Sequence, residues 1–213
     1  MNSSDILRDK ANWVRKETLK LHKRAPESRV ASSLSAIEIF VVLYYGDILS
    51  YESQNVLWEE RDRLIISKGH GAVCLYPILA DLNFFDKGEL TKIGTKDSFL
   101  GVIPDTSIPG FETINGAVGH GLGVACGIAL ALKRKTLNKK VFVLSGDGEL
   151  NEGAVWEAIM FASHHKLNNL ILIVDNNKMS MLGYQKEILG LEPLQEKFNA
   201  FGWKTQTVDG HSI

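Results

Sequence analysis

The sequence predicts an α/β protein, a mostly parallel sheet with helices on both faces. Two observations carry this. Two short apolar runs, Lys140–Ser145 and Leu170–Val174, are separated by one helix-length segment, the spacing of a strand, a crossover helix and a neighbouring parallel strand. Each run also stops at a turn-forming cluster, Gly146-Asp147-Gly148 and Asp175-Asn176-Asn177. Asn177 follows Asp147 by 30 positions, so both side chains are expected at the carboxyl edge of one sheet, where open α/β folds bind ligands.

The elements follow in order. Residues 5–24 carry Ile6, Trp13, Val14, Leu19 and Leu21 among charges, which predicts an amphipathic helix. Pro26 to Ser33 reads as a loop, with Ser33 or Ser35 expected to cap a helix over Ala36–Tyr45. Arg63–Ser67 is a short strand, and a helix runs from about His70 to Leu82. Residues 94–115 contain Pro104, Pro109, three glycines and no periodicity, the pattern of a long loop, a kind that in compact domains is usually functional or disordered. Gly116–Leu132 is rich in small residues and predicts a buried helix whose glycines allow close packing. Its Gly119-x-Gly121-x-Gly123 is not a dinucleotide fingerprint, because no strand precedes it and the spacing is wrong. Strand 140–145, helix 152–166, strand 170–175, a helix near 193–201 and strand 203–208 complete the alternation expected of a parallel sheet.

Composition sets the bounds. At 213 residues, 45% hydrophobic and 23% charged, the chain suits one globular domain, and residues 1–213 are expected to form it. A net charge of −1 gives no electrostatic case for nucleic acid or a membrane surface. Cys74 and Cys126 sit in apolar stretches without metal-ligand spacing and read as reduced residues of a cytoplasmic protein. The first twenty residues are too polar for a secretory signal, and no apolar run reaches membrane-spanning length.

The chemistry expected of the sheet edge is oxygen chemistry. The Asp147 carboxylate and the Asn177 amide oxygen suit Mg²⁺ or Ca²⁺, which complete their shells with phosphate oxygens, waters and backbone carbonyls. Gly146 and Gly148 let the backbone approach an anion, and a helix expected near Glu149 and Asn151 would turn its N-terminus towards a diphosphate.

The pair Gly146-Asp147-Gly148 and Asn176-Asn177 resembles the thiamine diphosphate motif. Three longer stretches resemble the transketolase family: Ser67-Lys68-Gly69-His70-Gly71-Ala72; Pro109-Gly110-Phe111-Glu112 leading to Gly116-Ala117-Val118-Gly119-His120-Gly121-Leu122; and Gly146-Asp147-Gly148-Glu149-Leu150-Asn151-Glu152-Gly153. The likeness is to the family's amino-terminal, diphosphate-binding half. It implies that Asp147, Asn177 and the Met179 carbonyl hold the metal, and that Gly146, Gly148, Glu149 and Met181 line the cofactor. The Gly148 amide would donate to the diphosphate. Gly116 and Val118 would meet the aminopyrimidine through their backbone. His70 would contact the cofactor phosphate or substrate, and His120, where the family usually has Gln, would act beside it. Glu152 matches an acidic residue that links active sites across the family's subunit interface.

Two departures stand out. Arg29 occupies the place of one family histidine that contacts sugar, and Ile103 the place of a second. Arg29 offers a bidentate grip on a carboxylate or phosphate instead. The resemblance implies transfer of a two-carbon ketol unit between sugars or sugar phosphates. Alternatives are a deoxyxylulose phosphate synthase-like or ketoacid dehydrogenase-like enzyme, or a non-catalytic scaffold relative. The glutamate that activates the pyrimidine lies on the family's second domain. The resemblance therefore implies a split enzyme needing a separate pyrimidine-domain subunit, in an α2β2 assembly. Set against the resemblance, the 213 residues are expected to lack the family's last helix and strand.

Overall fold

A computed structural model describes residues 3–114 and 116–213. The chain divides into two compact units whose segments alternate along the sequence. One comprises residues 1–61, 69–116 and 210–213, the other residues 62–68 and 117–209.

The first unit is helical. Helix α1 (Ser3–Arg24) buries Ala11, Val14, Thr18, Leu21 and His22, a stripe at spacings of three and four. Ile6 and Leu19 fall off that stripe and are exposed, which corrects the expected apolar face. The loop expected over 26–33 contains a one-turn helix, α2 (Val30–Leu34). Ser33 and Ser35 are used up in and after that turn, so neither caps the next helix. Ala36 takes that place ahead of α3 (Ile37–Tyr45), with no side-chain hydrogen bond. A 3₁₀ turn over Gly69–Cys74 leads into α4 (Leu75–Asp81). Lys10 joins α1 to Asp81 at 2.8 Å, and the Tyr45 hydroxyl donates to the same carboxylate at 2.9 Å.

The described part of the long loop 94–115 has no regular secondary structure, yet it is pinned. The Tyr76 hydroxyl donates to Gly101 O at 2.7 Å, the Tyr76 and Phe111 rings meet edge to face, and Arg61 pairs with Glu112 at 2.8 Å. Gly110 has φ +96°, and a Cβ there would press on Leu79 and Phe84 at 3.1 Å, so the Pro-Gly-Phe-Glu turn needs its glycine.

The second unit carries the sheet. Strands β1 (Arg63–Ile66), β2 (Val141–Gly146) and β3 (Leu170–Asp175) are parallel in the order β1-β2-β3, with Ile65 opposite Val143 and Gly146 opposite Asp175. Helices α5 (Gly121–Arg134) and α6 (Gly153–His164) pack together, and α5 covers the sheet. Their core joins Ile65, Val141 and Val143 to Leu122, Ala125, Cys126, Ala129, Ile159 and Ala162. The helix expected from Gly116 starts at Gly121 and is only half buried: Gly123, Val124 and Gly127 are exposed, and a Cβ at either glycine would meet nothing. Gly121 alone among them makes the close approach, because a Cβ there would lie 2.9 Å from the Cα of Ser67.

A two-stranded hairpin follows β3, formed by β4 (Met179–Ser180) and β5 (Gly183–Tyr184), and then α7 (Gln185–Ile188) and α8 (Leu194–Ala200). The expected strand 203–208 is not in a sheet: none of its residues is buried, and Lys204 and Gln206 to Val208 are exposed, so no buried face fixes its register. It is tied instead at Trp203, whose Nε1 donates to Ile159 O at 3.1 Å.

Candidate active site

The register of β2 and β3 places Gly146 beside Asp175, so the turns after the two strands leave the sheet side by side. Asp147 is 4% exposed and held on three sides. Its amide donates to Asp175 O at 3.2 Å, Oδ1 accepts from Gly148 N at 2.9 Å, and Oδ2 accepts from Lys178 N at 2.7 Å. That last bond reaches the residue directly after Asn177. Lys178 has φ +64°, a conformation a non-glycine residue rarely adopts, and the turn it makes brings its amide to Asp147. Asn177 is exposed, and its Oδ1 accepts from Met179 N at 3.0 Å. The turns that carry Asp147, Gly148, Asn177 and Met179 are therefore tied to each other. The helix expected near Glu149 is a 3₁₀ turn over Gly148–Asn151, with α6 beginning two residues later. The Gly148 amide is engaged by Asp147.

Burial raises the Asp147 carboxyl above the ordinary aspartate range. The Gly148 and Lys178 amides and the Lys68 charge pull it back down, and the Asp175 charge adds to the rise. A buried carboxylate, with an amide oxygen on the turn bonded to it through Lys178 N, is a donor set that Mg²⁺ would accept. The residues present thus fit a metal–diphosphate pair.

Glu149, expected to line the cofactor, faces inward. Its 5% exposed carboxylate accepts from the hydroxyls of Ser67 and Ser145, from Gly119 N at 2.6 Å and from Gly146 N at 3.3 Å. The Ser67 hydroxyl in turn accepts from Gly121 N at 3.1 Å. One carboxylate thus knits the end of β1, the end of β2 and the segment before α5. Gly119 has φ +86°, and a Cβ there would collide with Glu152 Cβ at 2.8 Å. His120 sits at the start of α5 with Nδ1 3.0 Å from the carbonyl of Val118. Val118 is 37% exposed, and Met181 is 76% exposed at the hairpin tip.

Sequence reasoning missed the ion pair between Lys68 and Asp175, which are 2% and 7% exposed. The available signal was a lysine after an apolar strand and an aspartate closing another. It also missed the hairpin over 179–184 and the cavity beside it, about 480 Å³, lined by Asp147, Lys178, Tyr184, Gln185, Leu191 and Glu192. Glu192 pairs with Lys178 and accepts from Asn176, and these contacts hold its carboxyl down at about 2.

His70, Gly116 and Arg29 lie in the first unit. His70 is in the 3₁₀ turn between two buried glycines and is itself partly exposed. Gly116 is exposed, with open space where a Cβ would be. Arg29 is exposed at the start of α2, and Ile103 is 41% exposed in the long loop.

A parallel sheet whose Gly-Asp-Gly and Asn-Asn turns are bonded together at its carboxyl edge defines a diphosphate-binding α/β domain. The family described as "Transketolase, thiamine diphosphate binding domain" matches residues 8–213, and the chain belongs to the transketolase family. It is 39% identical over 207 residues to the 6-deoxy-6-sulfo-D-fructose transketolase subunit SqwG of Clostridium sp. (strain MSTE9), covering 97% of this chain and 75% of that protein. It is 39% identical over 213 residues to an apulose-4-phosphate transketolase subunit of Actinobacillus succinogenes, covering 99% and 77%. The crystal structure of Campylobacter jejuni transketolase superposes with a TM-score of 0.92 at 32% identity. That likeness covers 99% of this chain and 34% of the transketolase chain, so the present chain spans about a third of that protein.

Proposed function

We propose that this chain is the diphosphate-binding subunit of a split transketolase, transferring a two-carbon ketol unit between sugars or sugar phosphates with thiamine diphosphate and Mg²⁺. The observation that carries the reading is the bond from Lys178 N to Asp147 Oδ2, which fixes the Asp147 and Asn177 turns against each other in a chain that matches the thiamine diphosphate binding domain over residues 8–213.

When bound, thiamine diphosphate supplies a nucleophilic carbanion and a ring that stores the electron pair. The protein's share is binding and orientation. Asp147, Asn177 and the backbone of Met179 would hold the cation, and Gly146, Gly148 and Met181 would lie along the cofactor. Glu149 acts as a positioning residue, since its four donors are internal. Gly116 and Val118 would support the pyrimidine by backbone contacts. His70 and His120 would hold or move protons at the substrate, and Arg29 would meet a substrate anion. Glu152 would face a second active site across the subunit interface.

We further propose that residues 1–213 serve as one diphosphate-binding domain, a reading supported by the family match running through both compact units. The partner would be a pyrimidine-domain subunit in an α2β2 assembly, supported by the coverage of about three-quarters of two relatives that are themselves named as subunits. We place it in the cytoplasm, where the buried thiols of Cys74 and Cys126 stay reduced.

For the test, a pyrimidine-domain subunit is combined with the chain, and transfer from a ketose phosphate to an aldose is followed. Turnover should require both chains, thiamine diphosphate and Mg²⁺. Asp147→Ala should lower cofactor affinity in calorimetry by about a hundredfold or more, the loss of a charged ligand. Robust turnover by this chain alone, or release of carbon dioxide from pyruvate in place of ketol transfer, would overturn the reading.

A further inference from the structure

The ion pair beneath the metal turn is placed where it can tune the site rather than merely hold the sheet. Lys68 lies two residues past the end of β1 and Asp175 ends β3, the two outer strands of the three-stranded sheet. For these side chains to meet, one must cross the end of the central strand. It crosses at Gly146, the register partner of Asp175, where a Cβ would rest against the Lys68 stem at 3.9 Å. The Lys68 backbone is fixed as well, because its amide donates to Leu144 O at 3.3 Å. Both side chains are more than nine-tenths buried, at 2% and 7% exposure. Asp175 also touches the site directly, since its carbonyl accepts the Asp147 amide at 3.2 Å. The two buried charges act on Asp147 with opposite signs.

A site for a dication and a diphosphate must attract both signs of charge. A lone buried negative charge next to Asp147 would favour the cation and repel the phosphates, and a lone buried positive charge would do the reverse. A paired lysine and aspartate cancel at a distance while remaining locked by each other.

We propose that Lys68 and Asp175 are positioning residues that balance cation against diphosphate affinity at the carboxyl edge of the sheet, by holding a neutral pair of opposite charges under Gly146 and Asp147. This rests on the metal–diphosphate reading given under Proposed function.

In the complex of this chain with its pyrimidine-domain subunit, two affinities are measured separately. Mn²⁺ alone is titrated by electron paramagnetic resonance, and thiamine diphosphate at saturating Mg²⁺ by calorimetry. Lys68→Gln, which keeps a donor for Asp175 but removes the charge, should tighten Mn²⁺ and weaken thiamine diphosphate, each by about tenfold. Asp175→Asn should move both affinities in the opposite directions. The double variant, Lys68→Gln with Asp175→Asn, should return each to within about twofold of the wild type. Single variants that weaken both ligands together would overturn the inference while leaving the metal–diphosphate reading intact. Absence of both ligands from the wild-type complex would overturn that reading and this inference with it. If a single variant does not fold, the neutral double decides. Folding with both affinities kept supports a self-cancelling pair. Failure to fold, or folding with both affinities lost, shows that the pair serves the fold alone and overturns the inference.

Discussion

The carboxyl edge of the sheet and the segments that hold Arg29 and Ile103 follow different rules. At the sheet edge almost every group is engaged by backbone. Asp147 is bonded to three neighbouring peptide groups, and Glu149 receives two amides and two hydroxyls. Around residues 26–35 and 101–112 the positions that depart from the family pattern are exposed side chains on a one-turn helix and a loop. A residue that fixes backbone geometry cannot change without moving the groups bonded to it. A residue whose side chain is exposed can be exchanged while the chain keeps its path. On this view the chain keeps its cofactor chemistry because that chemistry is built into the sheet, and its substrate range is free to differ.

The comparison breaks first, and hardest, at Glu149. Glu149→Gln keeps the shape but presents an amide N–H to a ring of donors, so at least one of the Gly119 and Gly146 amides loses its acceptor. Loss of a charge-assisted bond plus one buried unsatisfied donor is worth about 3 kcal/mol. The denaturation midpoint in urea should fall accordingly, and thiamine diphosphate affinity should fall with it, since β1, β2 and the segment before α5 are no longer tied together. A variant as stable as the wild type would mean that the hub is dispensable and that the sheet edge is held by strand pairing alone.

The solvent-side half of the comparison is sharpened by Arg29→His, which restores the residue type the family usually carries there. No fold effect is expected from an exposed position at the start of α2. The value of kcat/KM should shift by about tenfold between donors that do and do not carry an anionic group near Arg29, with cofactor affinity unchanged. A parallel fall for all donors, or a loss of thiamine diphosphate binding, would show that Arg29 belongs to the cofactor machinery and that the two regions are not separable.

Most of the sheet and the pairing of its two polar turns was legible because the signals are local. Lys140–Ser145 and Leu170–Val174 are apolar runs ended by turn residues, and β2 and β3 form where those runs lie. What escaped depends on neighbours distant in sequence. Residues 203–208 have the alternation of a strand but no buried face, and they leave the sheet at three strands. Helix α2 is a single turn inside a stretch that begins with proline, too short for any period to show. Glu149 looked like a ligand because it follows Gly-Asp-Gly, and only the approach of Ser67 and Gly119 explains why it turns inward. Lys68 carried a charge in a motif known for its neighbour His70, and its partner lies 107 positions away.

The smallest effect concerns a buried group that is only half satisfied, in the first unit. His22 lies in α1 with Nδ1 against the Ser28 hydroxyl, which itself donates to Ala25 O. Ser28 therefore accepts from Nδ1–H, and the buried Nε2 keeps its lone pair with no hydrogen-bond partner among the described residues. Burial lowers the His22 pKa below its ordinary 6.5. The neutral ring is thus the folded form, and its contribution is complete above the unfolded pKa and lost as pH falls through 6.5 towards the lower folded value. Between about pH 7.5 and about pH 5.5 the wild-type melting temperature should drop about 2 °C more than that of His22→Gln, which cannot take up the proton. Glu149 shows what full satisfaction of a buried group does for an element, and His22 shows the converse. An identical pH dependence in the two proteins would mean that α1 and the turn after it open enough to admit water to Nε2, so that this end of the helix is held far more loosely than the sheet edge.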